Sequence, residues 1–481
     1  MKVLFVSPEV SPIVRAGGLG DVVGSLPYAL KKLGIDVRII CPMHRECKDI
    51  NTIPISNKIK INFESKSFLF RLRETTLGDS KIPVYLLQNS HLFDRAGIYS
   101  DENGNYFDNP IRSFALCRSA LLIEKFTKWS PDIFHCHDWM TAALPAYLNE
   151  EKIKRKLHAK SVLTIHNLEH QGSFSAENFS NSELPNKFFG WDGFNHHGEL
   201  NLLKGGIQHA NKITTVSPTY AKEIKTEEFG EGLDKCLEYR GADLIGILNG
   251  IDLKSWNPQT DKALEKKISK DSPESGKIEN KKALLKQFSI KFQSTTPLFG
   301  VVSRLFHQKG LDILAQCLPS MLSKEDFQFI LLGSGDAYLE SSFLKLKESF
   351  PDRIGVRIGF DDTLARRIFA GSDFFVMPSR FEPCGLAQQY ALRYGSIPVA
   401  RKTGGLADTI LDLKSDEKKG NGLLFEKIST DSLSNVINNA ISLFHNTPKL
   451  KLTRNNAMNS PLSWDSSAKE YANVYQWALE S

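Results

Sequence analysis

The sequence predicts two doubly wound α/β domains, and three observations predict them. A strand–helix–strand rhythm opens the chain. The same rhythm restarts near residue 298. Each half carries a Gly-Gly-Leu turn after a strand-like run: Ala16-Gly17-Gly18-Leu19-Gly20-Asp21-Val22 and Thr403-Gly404-Gly405-Leu406-Ala407-Asp408-Thr409. Paired glycines at a strand-to-helix turn let the backbone approach a ligand closely and aim free amides at it. One such turn in each half suggests a ligand held in a cleft between two domains.

The elements follow in order. Lys2–Val6 reads as a buried strand, Val22–Leu33 as a helix ending at Gly34, and Val37–Cys41 as the next strand, which makes a βαβ unit. Ile133–Cys136 is a short strand before Asp138, with a helical pattern over Thr141–Leu148 after it. Ser161–Ile165 and Ile213–Val216 are further strands, and Ser217-Pro218 is a helix start. Residues 260–285 are rich in Lys, Glu, Ser, Asp and Pro and read as a surface segment near a domain junction. Leu298–Val302, Phe327–Leu332, Phe374–Met377 and Ile397–Ala400 are the strands of the second series. The two domains therefore join near residue 250.

Bulk properties exclude several classes. A chain of 481 residues holds two or three domains, and 41% hydrophobic with 24% charged residues is ordinary for a globular protein. A net charge of +6 is small for this length and supplies no basic arm, which argues against nucleic acid or another polyanion as partner. The apolar run Val3–Val6 is too short for a signal peptide and is followed by Pro8, Glu9 and Pro12. No apolar run is long enough to span a membrane. Seven scattered cysteines without a CxxC pair fit a reducing compartment, and neither a disulfide framework nor a zinc site. A cytoplasmic location is expected.

Chemistry concentrates at predicted strand ends. Arg15 stands beside the first glycine turn, where a guanidinium suits a phosphate or sugar oxygen. Asp21 lies in the first helical turn, where the dipole favours a carboxylate anyway. Arg304 and Lys309, in Ser303-Arg304-Leu305-Phe306-His307-Gln308-Lys309-Gly310, leave one strand end together and are expected to converge on one anion such as a diphosphate. Met377-Pro378-Ser379-Arg380-Phe381-Glu382-Pro383-Cys384-Gly385-Leu386 is the strongest local signal. It places Glu382 at the mouth of a sheet and the amides of Gly385 and Leu386 at a helix start. Glu382 also reads as a capping group, and Cys384 as a small buried hydrophobe. His166 and Asn167 end one strand, and His137-Asp138-Trp139 end another; each fits a sugar contact or plain packing. Asn249-Gly250 is a turn first and a ligand contact second. No nucleophilic triad, metal-ligand cluster or P-loop is present in the sequence.

Taken in order, GGLGDVVGSLP, HDW, TIHNLEHQG, TTVSPTYAKEI, GILNGID, SRLFHQKGLD, PSRFEPCGL and TGGLAD make nearly the whole chain resemble the bacterial glycogen synthase and plant starch synthase family, glycosyltransferase family five. The resemblance implies a GT-B fold: two Rossmann-like domains, here 1–250 and 251–460, facing across a deep cleft. It also implies a C-terminal segment, 461–481, whose helix near Ser466–Leu479 returns to the first domain. It implies retaining transfer of glucose from ADP-glucose to the non-reducing end of an α-1,4-glucan, glycogen or a maltooligosaccharide. No cofactor or metal is implied.

Residue by residue, the resemblance assigns Arg304 and Lys309 to the diphosphate, His166 and Glu382 to the donor sugar, and Gly385 and Leu386, beside Cys384, to its hydroxyls. Arg15, Gly17, Gly18, Asn249, Phe360, Thr403, Gly404 and Gly405 fall on the donor side. Asp21, Asp138 and Trp139 fall near the acceptor. Two positions depart from the family pattern. Arg15 stands where the family has lysine, and arginine is longer and planar. Phe360, in Ile358-Gly359-Phe360, stands where a tyrosine is common; its ring can still stack on a base. Two alternatives stay open at this level: the same fold using UDP-glucose or another acceptor, and a glucan-binding protein without turnover. Intact Glu382, Arg304 and Lys309 argue against the second.

Overall fold

A computed structural model describes residues 1–64, 66–155 and 158–481. The chain forms two compact units, Met1–Gly250 with Trp464–Ser481, and Ile251–Ser463.

The first unit is built on a nine-stranded sheet. Its strands are β1 (Lys2–Val6), β2 (Asp36–Pro42), β3 (Ile53–Phe63), β4 (Lys66–Thr76), β5 (Pro83–Gln88), β6 (Ile133–His137), β7 (Lys160–Ile165), β8 (Lys212–Thr215) and β9 (Leu244–Gly246). Their order is β9-β8-β7-β6-β1-β2-β5-β4-β3. Val3 lies opposite both Val37 and Ile133, and the pairing is parallel from β9 across to β5. The order reverses between β1 and β6. Ligands of open α/β sheets collect at such a reversal, beyond the strand C-termini.

The antiparallel hairpin β3–β4 extends one edge and was not legible in the βαβ rhythm. Its residues alternate between buried and exposed, so it lacks the continuous apolar run that marks a central parallel strand. The first helix runs Gly18–Lys32, four residues ahead of the predicted start, because Gly17 takes the extended N-cap conformation. The pattern over Thr141–Leu148 resolves into a short 3-10 turn, Trp139–Thr141, and a helix, Leu144–Arg155.

The last helix, Trp464–Leu479, packs into the first unit. Trp464, Ala468, Tyr471, Val474 and Tyr475 share a core with Val3, Phe5, Val23 and Leu26. The Tyr475 hydroxyl lies 2.8 Å from His135 Nδ1, and the Lys212 ammonium sits 3.7 Å from the centre of the Trp477 ring. Among the described residues no helix is long and apolar enough to cross a membrane.

The second unit holds a six-stranded parallel sheet. Its strands are β10 (Leu298–Val302), β11 (Gln328–Gly333), β12 (Ile354–Ile358), β13 (Phe374–Met377), β14 (Ile397–Arg401) and β15 (Leu423–Phe425). Their order, β12-β11-β10-β13-β14-β15, is the dinucleotide-fold order, with its reversal between β10 and β13. Alternate residues feed two cores. Phe299, Phe329 and Phe374 face one; Leu298, Ile330 and Phe375 face the other.

The surface segment expected over 260–285 is corrected: Pro273–Gln287 is a helix that buries Lys277, Asn280, Lys281 and Leu284. Its buried cations hid its inner face from a reading based on composition. Lys277 Nζ donates to the carbonyls of Ser372 at 2.6 Å and Phe369 at 3.2 Å. Lys281 Nζ donates to the Thr296 carbonyl and Asp373 Oδ2, both at 2.6 Å. Burial pushes the Asp373 carboxyl up, but Lys281 and Arg454 outweigh it and hold it below the usual range. Removing one partner of such a pair strands the other charge in the core. Asp373→Asn is therefore expected to destabilise the protein by about 3–5 kcal/mol, read as a lower denaturant midpoint.

Candidate active site

In the second unit, the loops that follow β10, β13 and β14 are stitched together around Glu382. Glu382 is only 5% exposed. Lys309 Nζ donates to both its carboxylate oxygens, at 2.9 and 2.7 Å, and Ser379 Oγ donates to Oε2 at 3.0 Å. The Gly405 amide donates to the Glu382 carbonyl at 3.0 Å. The next layer fixes the loops themselves. The Arg380 amide donates to the Gln308 carbonyl at 2.8 Å, and the Arg380 guanidinium grips both oxygens of Asp312 at 2.7 Å.

Two glycines make these approaches possible. Gly404 has φ +42°, and a Cβ there would meet the Glu382 carbonyl oxygen at 2.0 Å. Gly310 has φ +63°, and a Cβ there would meet the Pro378 carbonyl oxygen at 2.0 Å. Both positions demand glycine for conformation and for space.

Arg304 and Lys309, expected to meet one anion, have different neighbours in this structure. Lys309 is spent on Glu382, whereas Arg304 is exposed and leans over the Phe306 ring at 5.5 Å. Cys384 is buried, and Gly385 turns the chain at φ +71° into the short helix Ala387–Arg393, with Leu386 as its N-cap. Thr403 is the N-cap of the turn Gly404–Thr409. Phe360 is 84% exposed, a free ring at the end of β12.

In the first unit, the loops after β1, β6 and β7 gather at the other reversal. Glu9 is buried, and its Oε2 accepts from the amides of Ala16 at 2.6 Å and Gly17 at 2.9 Å. Its Oε1 accepts from the Tyr99 hydroxyl at 2.5 Å. The expectation that free amides line both glycine turns is thus corrected. Ala16 and Gly17 already bond an internal carboxylate, and Gly405 a carbonyl. Gly17 still leaves open space around its α-carbon, and Gly18 begins the helix. Arg15 pairs with Asp21 at 2.9 Å on the surface of that turn.

Asp138 has φ +55° and ψ −173°, a region other residues rarely enter. Its amide donates to the Thr164 carbonyl at 2.9 Å, and its Oδ1 accepts from the His166 amide at 2.6 Å. Burial pushes the Asp138 carboxyl up to about 8, against the pull of the His166 and Asn167 amides. Trp139 is half-buried between Tyr99 and Phe174, with ring centres 5.9 and 6.0 Å away. His137 Nδ1 lies 3.0 Å from His166 Nε2, and burial pulls the His166 imidazole down to about 3. Asn249 is buried in the turn that ends this unit.

Sequence reasoning missed Glu9, Tyr99 and Ser379, and it left His137 between a sugar contact and plain packing. Glu9 registered only as an interruption after β1, and Ser379 only as part of a motif. Nothing local marks either as a partner, because each is defined by a contact made across a loop. Among the described residues no group of three or more His, Cys, Asp or Glu is arranged to hold a metal ion.

The chain thus has two doubly wound units, each with a glycine turn and charged side chains at the reversal of its sheet. Residues 2–239 match the starch synthase catalytic domain and residues 284–457 match glycosyl transferases group 1. The chain is 43% identical to a glycogen synthase of Geotalea daltonii, over 100% of this chain and 99% of that one. It is 39% identical to one from Thermosipho melanesiensis, at 100% and 99% coverage. Among solved structures it resembles the catalytic domain of starch synthase IV from Arabidopsis thaliana bound to ADP and acarbose. That likeness has a TM-score of 0.91 and 33% identity, covering 100% of this chain and 99% of that one. A sucrose-phosphate synthase from Thermosynechococcus elongatus, at 16% identity and TM-score 0.60, shares the fold. The chain belongs to the glycogen synthase and starch synthase family, and it is a glucosyltransferase.

The buried histidines of the first unit make a pH test. Burial lowers His44 and His166 to about 3 and His209 to about 4, and it pulls His135 and His137 well below the ordinary value of 6.5. Below pH 6.5 the unfolded chain takes up protons that the folded unit refuses, so these groups lose stability as pH falls from 6.5 toward 3. Asp138, raised to about 8, works oppositely: its contribution is present below 3.8 and fades as pH rises through 8. The histidines outnumber it. Thermal melting is therefore expected to fall steeply below pH 6.5, with a limiting slope of about 1.4 kcal/mol per pH unit for each histidine. A flat melting temperature from pH 6.5 to 4.5 contradicts this.

Proposed function

We propose that the chain transfers glucose from ADP-glucose to the non-reducing end of an α-1,4-glucan, with retention of configuration, in the cytoplasm and without a metal. Family membership supports the glucosyl transfer. The relative bound to ADP supports an adenine nucleotide as the donor's leaving portion. The observation that carries the reading is the buried Glu382 carboxylate held by Lys309 at the reversal of a dinucleotide-type sheet.

The chemistry follows from charge. As the bond from the anomeric carbon to the phosphate oxygen breaks, negative charge grows on the diphosphate and positive charge on the sugar ring. Lys309 and Arg304 stabilise the first, which removes the need for a metal in this reading. Glu382, fixed by Ser379, stabilises the second. The acceptor 4-hydroxyl attacks from the face the diphosphate leaves. Its proton passes to a phosphate oxygen, a new C–O bond forms, and ADP departs. His166 and Asp138 are assigned to the donor sugar and the acceptor, and Trp139 to the acceptor. Arg15, Asn249 and Phe360 are assigned to the nucleotide sugar.

Glu382→Gln keeps the shape and removes the charge. It is expected to lower kcat at least about a hundredfold, the scale of one preorganised electrostatic group. Radiolabelled transfer to glycogen from ADP-glucose and from UDP-glucose, run side by side, measures both this loss and the donor. Undiminished kcat in Glu382→Gln removes the central role of Glu382; a preference for UDP-glucose removes the donor assignment.

A further inference from the structure

His137 has no assigned role, yet it is fully buried beside His166. Its Nδ1 lies 3.0 Å from His166 Nε2, and its own Nε2 is buried without a hydrogen-bond partner. Neighbouring His135 differs: both its nitrogens are used, by Tyr475 at 2.8 Å and Thr164 at 2.6 Å. Each neutral imidazole carries one N–H and one lone pair. If His137 held its proton on Nε2, a buried N–H would be orphaned. If it holds the proton on Nδ1, only a lone pair is left unpaired, which is the cheaper of the two arrangements. The proton therefore sits on Nδ1 and is donated to His166 Nε2. His166 Nε2 must then be the acceptor, and the His166 proton moves to Nδ1. That nitrogen has no partner among the described residues, and His166 is partly exposed. The ring itself is anchored, because the His166 amide is bonded to Asp138.

We propose that His137 is a positioning residue that fixes the tautomer of His166, so that His166 presents an N–H donor, not a lone pair, to a hydroxyl oxygen of the donor sugar. The inference rests on the reading that His166 contacts that sugar. It goes further in stating the direction of the hydrogen bond and which residue sets it. Burial keeps both rings neutral at physiological pH, so the direction is held by geometry and not by protonation.

The test uses the full chain labelled with 15N-histidine. Multiple-bond 1H–15N spectra report which ring nitrogen carries the proton, and the His166 signals are assigned by their loss in His166→Gln. The wild-type protein is expected to show His166 protonated on Nδ1. His137→Phe removes the donor, and the His166 spectrum is expected to shift toward the other tautomer while kcat falls about tenfold, the scale of one neutral hydrogen bond. His137→Asn returns an N–H near the Nδ1 position and is expected to restore kcat to within about threefold of wild type. A wild-type His166 protonated on Nε2 overturns the proposal, and that spectrum decides the matter even if His137→Phe does not fold. So does a folded His137→Phe with unchanged tautomer and unchanged kcat. His166→Ala separates the two readings. Full activity in that variant removes the sugar contact, while the spectrum still reports whether His137 sets the tautomer.

Discussion

The Lys309–Glu382 ion pair is the interaction on which the second unit's site depends. A carboxylate as buried as Glu382 is costly unless paired and hydrogen-bonded. Lys309 and Ser379 supply both needs from two different loops. Because Lys309 follows β10 and Glu382 follows β13, the pair spans the reversal of the sheet. The glycines answer the same requirement. Gly310 lets the first loop pass the Pro378 carbonyl, and Gly404 lets the third pass the Glu382 carbonyl. The site is thus electrostatically complete before any ligand arrives. Under the proposed function, an incoming diphosphate would compete with Glu382 for Lys309, or share it.

The first unit solves a similar problem with another carboxylate. Glu9 occupies the amides that would otherwise make the first glycine turn an anion site, and Tyr99 closes its other oxygen. That turn is consequently a rigid surface whose open ground lies at Gly17, not a cradle of free donors. Behind it, Asp138 is held in an unusual backbone conformation by Thr164 and His166, residues of the strand end beside it. Strain of this kind persists only where neighbours over-determine it. The helix Trp464–Leu479 packs into the core of the same unit, and its Tyr475 meets His135 of β6.

The fold was legible because parallel strands buried on both faces write themselves as short apolar runs. Leu298–Val302 and Phe374–Met377 were read with the bounds they have. What was not legible shares a physical cause. The hairpin β3–β4 is half exposed and breaks the rhythm. Pro273–Gln287 buries lysines whose carbonyl and carboxylate partners lie far along the chain. The site was legible where several chemical types crowd one loop, as in Ser379-Arg380-Phe381-Glu382, and where a pattern resembles a family. Partnership was not. Nothing in the local sequence says that Lys309 turns to Glu382 while Arg304 stays outside, or that Glu9 closes the first glycine turn. Those facts belong to loops meeting across a sheet reversal.

Lys309 is held by Glu382, and the proposed function has the diphosphate draw on it. The most direct measurement is calorimetric titration of ADP into the wild-type protein and into Glu382→Gln. Removing the carboxylate charge frees Lys309 and removes a nearby negative charge. ADP is therefore expected to bind the variant about tenfold more tightly, the scale of one charge-assisted contact released. Equal or weaker binding would contradict the account.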